Sequence, residues 1–185
     1  LRKMKSYMFL ATGFEETEAI APLDVMRRAG LDVATVSITG ERAVCGAHGV
    51  PVVADLLFEE ADFSDAQWLI CPGGLPGATN LADCKPLCEL LKKHFAAGGN
   101  VAAICASPGV VLAPLGIIDD RQVACYPGAF ADACPHYDPE HLVITDQNVV
   151  TGAGPAAAYA FGFAIVENTL GEEAAKEVSQ GMLFC

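Results

Sequence analysis

Positive charge is scarce in this chain: 11 Lys and Arg stand against 23 Asp and Glu, a formal net charge of −12. Beyond the first few residues no basic cluster is longer than a pair, so a nucleic-acid backbone is disfavoured as a partner and small molecules or proteins are favoured. Long hydrophobic runs are missing as well. The longest, VVLAPLGII from Val110 to Ile118, is short and broken by Pro and Gly, which excludes a bilayer-spanning helix. The opening stretch LRKMKSYMFLATGFEE is basic, but Glu15 and Glu16 interrupt its apolar part after a few residues, which argues against a secretory signal and for a soluble, cytoplasmic protein. No Ser/Gly/Pro-rich or charge-rich linker divides the 185 residues, so residues 1–185 read as one domain with a well-buried core.

Cysteine, by contrast, is plentiful. Eight are present, none in a CxxC pair, and most lie inside apolar runs as reduced cytosolic cysteines do. Cys84 and Cys88 are four apart on an expected helix and could join two metal ligands, but no Cys/His pair follows at zinc-site spacing, so neither a metal nor another cofactor is expected.

Continuous apolar stretches alternate with amphipathic ones: YMFLAT, EAIAPLDVMRRAG, LDVATVSI, AQWLICPGG, LCELLKKHFAAGG, NVAAIC and ASPGVVLAPLG, then HLVITD, NVVTGA and AAAYAFGFAIVENTLG. Buried strands alternating with helices make a mostly parallel sheet covered on both faces, a doubly wound, flavodoxin-like α/β domain. The segment VPVVADLLFEEADFSD reads as a short strand pair or an excursion whose pairing stays open. In such sheets ligands sit beyond the carboxyl ends of the strands, where strand order reverses, and LATGFEETE, LICPGGLPGA and VAAICASPG should all end there.

Cys105 falls between an apolar strand and a helix that opens with the small residues Ala106 and Ser107. That junction either buries an inert thiol or exposes a nucleophile on a sharp turn. The helix start offers unpaired N–H groups and a positive dipole end, both of which favour the thiolate, so Cys105 is expected to ionise well below an ordinary cysteine. In CPGGLPG, Gly73 and Gly74 let the backbone approach a ligand, and the amides of Gly74 and Ala106 form a candidate oxyanion pocket. Glu15 and Glu16 read as dipole partners of the first helix. Pro22 should kink that helix or leave its first turn irregular, freeing Glu18 to point off the helix surface, where a carboxyl in a poorly solvated crevice would stay protonated. His48, His94, His136 and His141 read as surface histidines, with His48 in a loop that could border the crevice.

Taken together, EETEAIAPLDVMRRAG, CPGG with GATNL, AAICASP and the ending GPAAAYAFGFAIVENTLG resemble the ThiJ/PfpI superfamily, in the branch of the parkinsonism-associated deglycase and bacterial YajL. The resemblance spans essentially the whole chain. It implies a flavodoxin-like homodimer in which Cys105 is the reactive cysteine and Glu18 its partner acid, with the Gly74 and Ala106 amides in the pocket. It implies one of several activities: glutathione-independent glyoxalase, repair of early glycation adducts, redox-sensing chaperone, or a role in thiazole-phosphate (thiamine) biosynthesis. The protease branch carries a histidine directly after the cysteine, where this chain has Ala106. In the parkinsonism-associated protein another histidine approaches the cysteine from the segment after the next strand, and the matching place in QVACYPGAFAD holds Tyr126, either a hydrogen-bond donor or a wall of the pocket.

Overall fold

A computed structural model describes residues 4–184; the basic Arg2 and Lys3, and Cys185, lie outside the described residues. Its centre is a seven-stranded sheet in the order β5-β2-β1-β6-β7-β9-β8. The strands are β1 (Lys5–Leu10), β2 (Val33–Ser37), β5 (Leu56–Leu57), β6 (Ala66–Cys71), β7 (Asn100–Ile104), β8 (Val143–Asp146) and β9 (Val149–Gly152). All pair in parallel except β8, which folds back on β9 through Gln147 and closes one edge antiparallel. The mostly parallel, flavodoxin-like architecture expected from the alternation is therefore present. The segment 50–65, whose pairing the sequence leaves open, supplies β4 (Pro51–Val53), which pairs antiparallel with the preceding β3 (Ala43–Cys45) in a separate hairpin, then the two-residue edge strand β5 and two single 3-10 turns.

Period-two burial explains how each strand serves two cores. Met8 and Leu10 of β1, with Trp68 and Ile70 of β6, pack toward α1 (Glu16–Arg28), α4 (Ala158–Leu170) and α5 (Glu172–Gly181). Tyr7 and Phe9, with Leu69 and Cys71, pack toward the other face, which α3 (Lys85–Ala96) covers through Leu87 and Leu91 beside α2 (Gly77–Asp83). Trp68, fully buried, donates its indole N–H to Thr169 Oγ1 at 2.8 Å, which satisfies its one polar atom.

Helix α1 runs unbroken through Pro22, so the expected irregular first turn is absent. Proline costs the helix one bond at that point, because it has no N–H to offer the carbonyl of Glu18 four residues earlier. Packing offsets the loss: Pro22 and Val25 lie against Gly162 of α4 so closely that a Cβ there would sit 2.9 Å from Pro22 Cα. Among the described residues no helix is long and apolar enough to cross a membrane.

Gly162→Val should therefore overpack the α1–α4 contact and lower stability by about 1 to 3 kcal/mol. Urea unfolding checks this: the midpoint should fall with an unchanged slope, and an unmoved midpoint would show that the two helices separate freely.

Candidate functional site

Strand order reverses between β1 and β6, since α1 carries the chain from β1 to one side and β6 lies on the other. The crevice this leaves at the carboxyl ends is where doubly wound sheets bind ligands. Three segments meet in it: Glu18 on α1 after β1, Gly73 and Gly74 after β6, and Cys105 immediately after β7.

Cys105 adopts φ 64°, a left-handed conformation that a residue with a side chain holds only when its surroundings enforce it, at about 1 to 3 kcal/mol. The enforcement is visible. Its N–H donates to Gly152 O at 2.8 Å, and its carbonyl accepts from Tyr126 N–H at 2.8 Å and from Cys125 Sγ at 3.2 Å. With the backbone so fixed, the side chain leaves the strand toward Glu18. The expected helix after Cys105 is not a regular one: Pro108–Leu112 forms a single π-type turn that tightens into a 3-10 turn at Ala113–Leu115.

Glu18 is wholly buried. Its Oε2 accepts the Gly73 N–H at 3.0 Å, while Oε1 has no aligned donor and the Cys105 thiol lies within hydrogen-bonding reach of the carboxyl. Burial, reinforced by the charge of Glu15, pushes Glu18 up to about 7. Burial and the neighbouring Glu18 charge push the Cys105 thiol up to about 12, against the opposing pull of the Gly74 and Ala106 amides, which point at its sulfur. This reverses the expectation of an independently acidic thiol. The short turn after Cys105 offers little dipole, and desolvation beside a carboxylate outweighs two N–H groups. Near neutral pH it is the Glu18 carboxyl that titrates, while the thiol beside it keeps its proton.

Gly73 and Gly74 are dictated by this packing. A Cβ on Gly73 would sit 2.5 Å from Glu18 Oε2 and 2.6 Å from Cys105 Cβ, and one on Gly74, at φ +88°, 2.3 Å from the Glu15 backbone N. Ser107 was read only as small, yet its buried hydroxyl donates to Pro72 O at 2.6 Å and ties the β6 and β7 loops together. A hydroxyl inside the apolar run CASPGVV was the available signal.

In front of the sulfur lies an open pocket of about 260 Å³ lined by Gly74, Leu75, Cys105, Ala106, Tyr126 and Phe130. That is below the roughly 300–1,000 Å³ of pockets for drug-sized ligands, so it suits a molecule of a few heavy atoms. Tyr126 is 48% exposed, edge-on to Phe130 at 6.5 Å between ring centroids, and its hydroxyl has no partner among the described residues. Larger grooves exist elsewhere, such as the 660 Å³ one beside Lys5, Arg27 and Asp55, but it opens at the amino-terminal ends of the strands and holds no nucleophile.

The flanking glutamates are not mere dipole partners. Glu15 caps α1 by accepting the Glu18 N–H at 2.8 Å, and Glu16 accepts the His48 N–H at 2.7 Å and pairs with His48 Nδ1 at 2.9 Å. Glu15, Glu16 and His48 form the cluster, among the described residues, whose donor atoms converge within 4.8 Å, on the rim rather than at Cys105. Cys84 and Cys88 do not belong to such a cluster. His136 and His141 are exposed as expected, whereas His94 is half-buried with Nε2 3.1 Å from Asn100 O.

A doubly wound domain with a strained cysteine turn and a buried carboxyl partner at its switch point defines a class of α/β proteins built around a reactive thiol. Within that class the chain belongs to the DJ-1/PfpI family, which residues 4–168 match. It is 36% identical over 184 residues to the Parkinson disease protein 7 homolog of Danio rerio, covering 97% of each. It is 36% identical over 161 residues to the glutathione-independent glyoxalase DJR-1.2 of Caenorhabditis elegans, covering 86% of this chain and 84% of that protein. The solved structure of oxidized DJ-1 from Toxoplasma gondii superposes with a TM-score of 0.94 at 34% identity, over 98% of this chain and 99% of the other. The chain spans 39% and 45% of the lengths of Arabidopsis thaliana DJ-1 homologs B and A.

The raised Glu18 has a consequence for stability. Its folded-state value, about 7, lies above the ordinary 4.5, so the native state binds the extra proton between those values. That contribution is full below pH 4.5 and lost as pH rises through 7, by at most about 3 kcal/mol. Glu18→Gln should remove that part of the decline. Unfolding free energies of both proteins from pH 4.5 to 8 check this, and parallel profiles would place the Glu18 carboxyl in water.

Proposed function

We propose that this protein is a glutathione-independent glyoxalase that converts small 2-oxoaldehydes such as methylglyoxal to hydroxy acids. The observation that carries the reading is the buried Glu18 carboxyl within hydrogen-bonding reach of the Cys105 thiol at the foot of a small pocket. The name of the Caenorhabditis elegans relative supports it.

With Glu18 ionised in part near neutrality, its carboxylate takes the thiol proton as sulfur adds to the aldehyde carbon, so no charge is created on the pair. The aldehyde oxygen gains negative charge beside the Gly74 and Ala106 amides, which stabilise it. Glu18 hands the thiol proton to that oxygen to give a hemithioacetal, and the freed carboxylate then removes the proton from C1 and returns it to C2, while the C1 hydroxyl proton passes to the C2 oxygen, leaving a thioester at C1 and an alcohol at C2. Water cleaves the thioester, the thiol regains its proton, and the sum is one oxoaldehyde plus one water giving one hydroxy acid. Tyr126 acts as a wall: its hydroxyl faces solvent and its ring packs edge-on to Phe130.

A second reading rests on the same carboxyl. A protonated Glu18 can donate to an oxidised Cys105, which would hold the sulfur at the sulfinic stage and make the site a peroxide sensor, and a relative has been solved in an oxidized form. Among the described residues all seven cysteines are unpaired, which fits a reducing, cytoplasmic compartment. A homodimer is part of the proposal, and Ile20, Val53 and Tyr159, all exposed, are side chains that such a contact would cover. No nucleic acid is included, given the net charge of −12.

Lactate formed from methylglyoxal without glutathione is the direct test. Cys105→Ser should abolish turnover, and Glu18→Gln should lower kcat by about a hundredfold or more while leaving the fold intact. Turnover that survives Cys105→Ser would end the glyoxalase reading. Tyr126→Phe should leave kcat/KM within about twofold, whereas a tenfold loss, about 1.4 kcal/mol, would give its hydroxyl a part in the reaction.

A further inference from the structure

Behind the Cys105 turn, on the side away from the pocket, two further thiols meet. Cys125 is completely buried and Cys134 nearly so, at 6% exposure, and their side chains lie within interaction distance of each other. The segment carrying them is pinned at both ends: Val123 N–H donates to His136 O at 3.1 Å and Asp138 N–H to Val123 O at 2.9 Å. Cys125 also donates to the Cys105 carbonyl at 3.2 Å, and Cys134 to the Phe130 carbonyl at 3.6 Å. The pair therefore sits against the backbone of the reactive cysteine and of one aromatic wall of the pocket. Neither thiol is needed for the chemistry proposed above.

We propose that Cys125 and Cys134 form a second redox site, a buried dithiol that peroxide closes to a reversible disulfide. Two apolar side chains would fill this space without any liability to oxidation; two thiols in mutual contact supply both partners of a disulfide at nearly zero chain-closure cost, because the loop holding them is already closed by the Val123 contacts. The two thiols are not equivalent. The interaction between them shifts the Cys134 thiol down from its ordinary value, while the same interaction, with burial, shifts Cys125 up. Cys134 is also the one with an exposed edge, at the end of the single 3-10 turn Ala131–Ala133, an element short enough to open locally.

Those differences set the order of events. The Cys134 thiolate attacks one oxygen of hydrogen peroxide, the S–O bond forms, the O–O bond breaks, and the departing hydroxide takes up a proton as water. Cys125 then attacks the sulfenic sulfur: the S–S bond forms, the S–O bond breaks, and the hydroxide leaves as water with the Cys125 proton. Two thiols have lost two hydrogens and two electrons, and one peroxide has become two waters. The disulfide removes the Cys125 donor from the Cys105 carbonyl, so Tyr126 N–H alone remains of the two groups that hold that oxygen.

The test uses the full chain treated with one equivalent of hydrogen peroxide, then denatured, alkylated and digested without reduction by a protease that cuts before aspartate. Cleavage before Asp132 separates the two cysteines into peptides 120–131 and 132–137. The expected product is a cross-linked pair two hydrogens lighter than the sum of its parts, lost on adding dithiothreitol, retained in Cys105→Ser and absent from Cys134→Ser. In Cys125→Ser, which lacks the resolving thiol, Cys134 should proceed instead to the sulfinic acid. Complete alkylation of Cys125 and Cys134 in wild type, at a dose that adds oxygen to Cys105, would overturn the proposal. So would stable oxygen addition to Cys134 in wild type without a cross-link. The wild-type measurement decides the matter even where a serine variant fails to fold.

Discussion

One buried carboxyl organises the active end of this protein. Glu18 has no access to water, so its charge cannot be solvated, and what remains to it is a single backbone N–H and the thiol of Cys105. A carboxyl in such a place is pushed toward neutrality, and a thiol beside it is pushed the same way whenever the carboxyl is charged. The consequence is a pair that exchanges one proton instead of two independent acids.

The fold exists around this pair in a literal sense. Parallel pairing of β1, β6 and β7 brings three strand ends side by side, and each contributes one part: the acid, the glycine backbone and the sulfur. The glycines leave no room for error, since a methyl group on Gly73 would overlap both the carboxyl oxygen and the Cys105 side chain. The strain at Cys105 is held by hydrogen bonds from β9 and from the segment through Cys125 and Tyr126. The loop after β7 is thereby tied to the neighbouring strand β9 and to the segment that carries Cys125.

Several residues near the site have structural rather than chemical work. Ser107 fastens one loop to another, Glu15 caps the helix that carries Glu18, and Glu16 anchors the hairpin loop through His48 and Val50. The acidic run EETE therefore divides into a cap, an anchor and a buried acid. Their side chains depart from adjacent positions on one helical turn, and burial rather than residue type separates their roles.

The sequence by itself determined the α/β class, because unbroken apolar strands alternating with amphipathic helices can be buried only in a parallel sheet covered on both faces. It also singled out Cys105, Glu18, Gly73, Gly74 and Ala106, since a thiol at a strand-to-helix junction, paired glycines after a strand and acids at a helix start are local patterns, while Tyr126 was marked only by the family resemblance. Tertiary structure alone decided the rest. The rise of the thiol in place of the expected fall, the continuity of α1 from Glu16 through Pro22, the π-type turn after Cys105 and the contact between Cys125 and Cys134 all depend on which groups meet across the fold. Desolvation and packing are sums over neighbours distant in sequence: Glu18 and Cys105 are 87 positions apart, and nothing within a few residues of either encodes how little water lies between them.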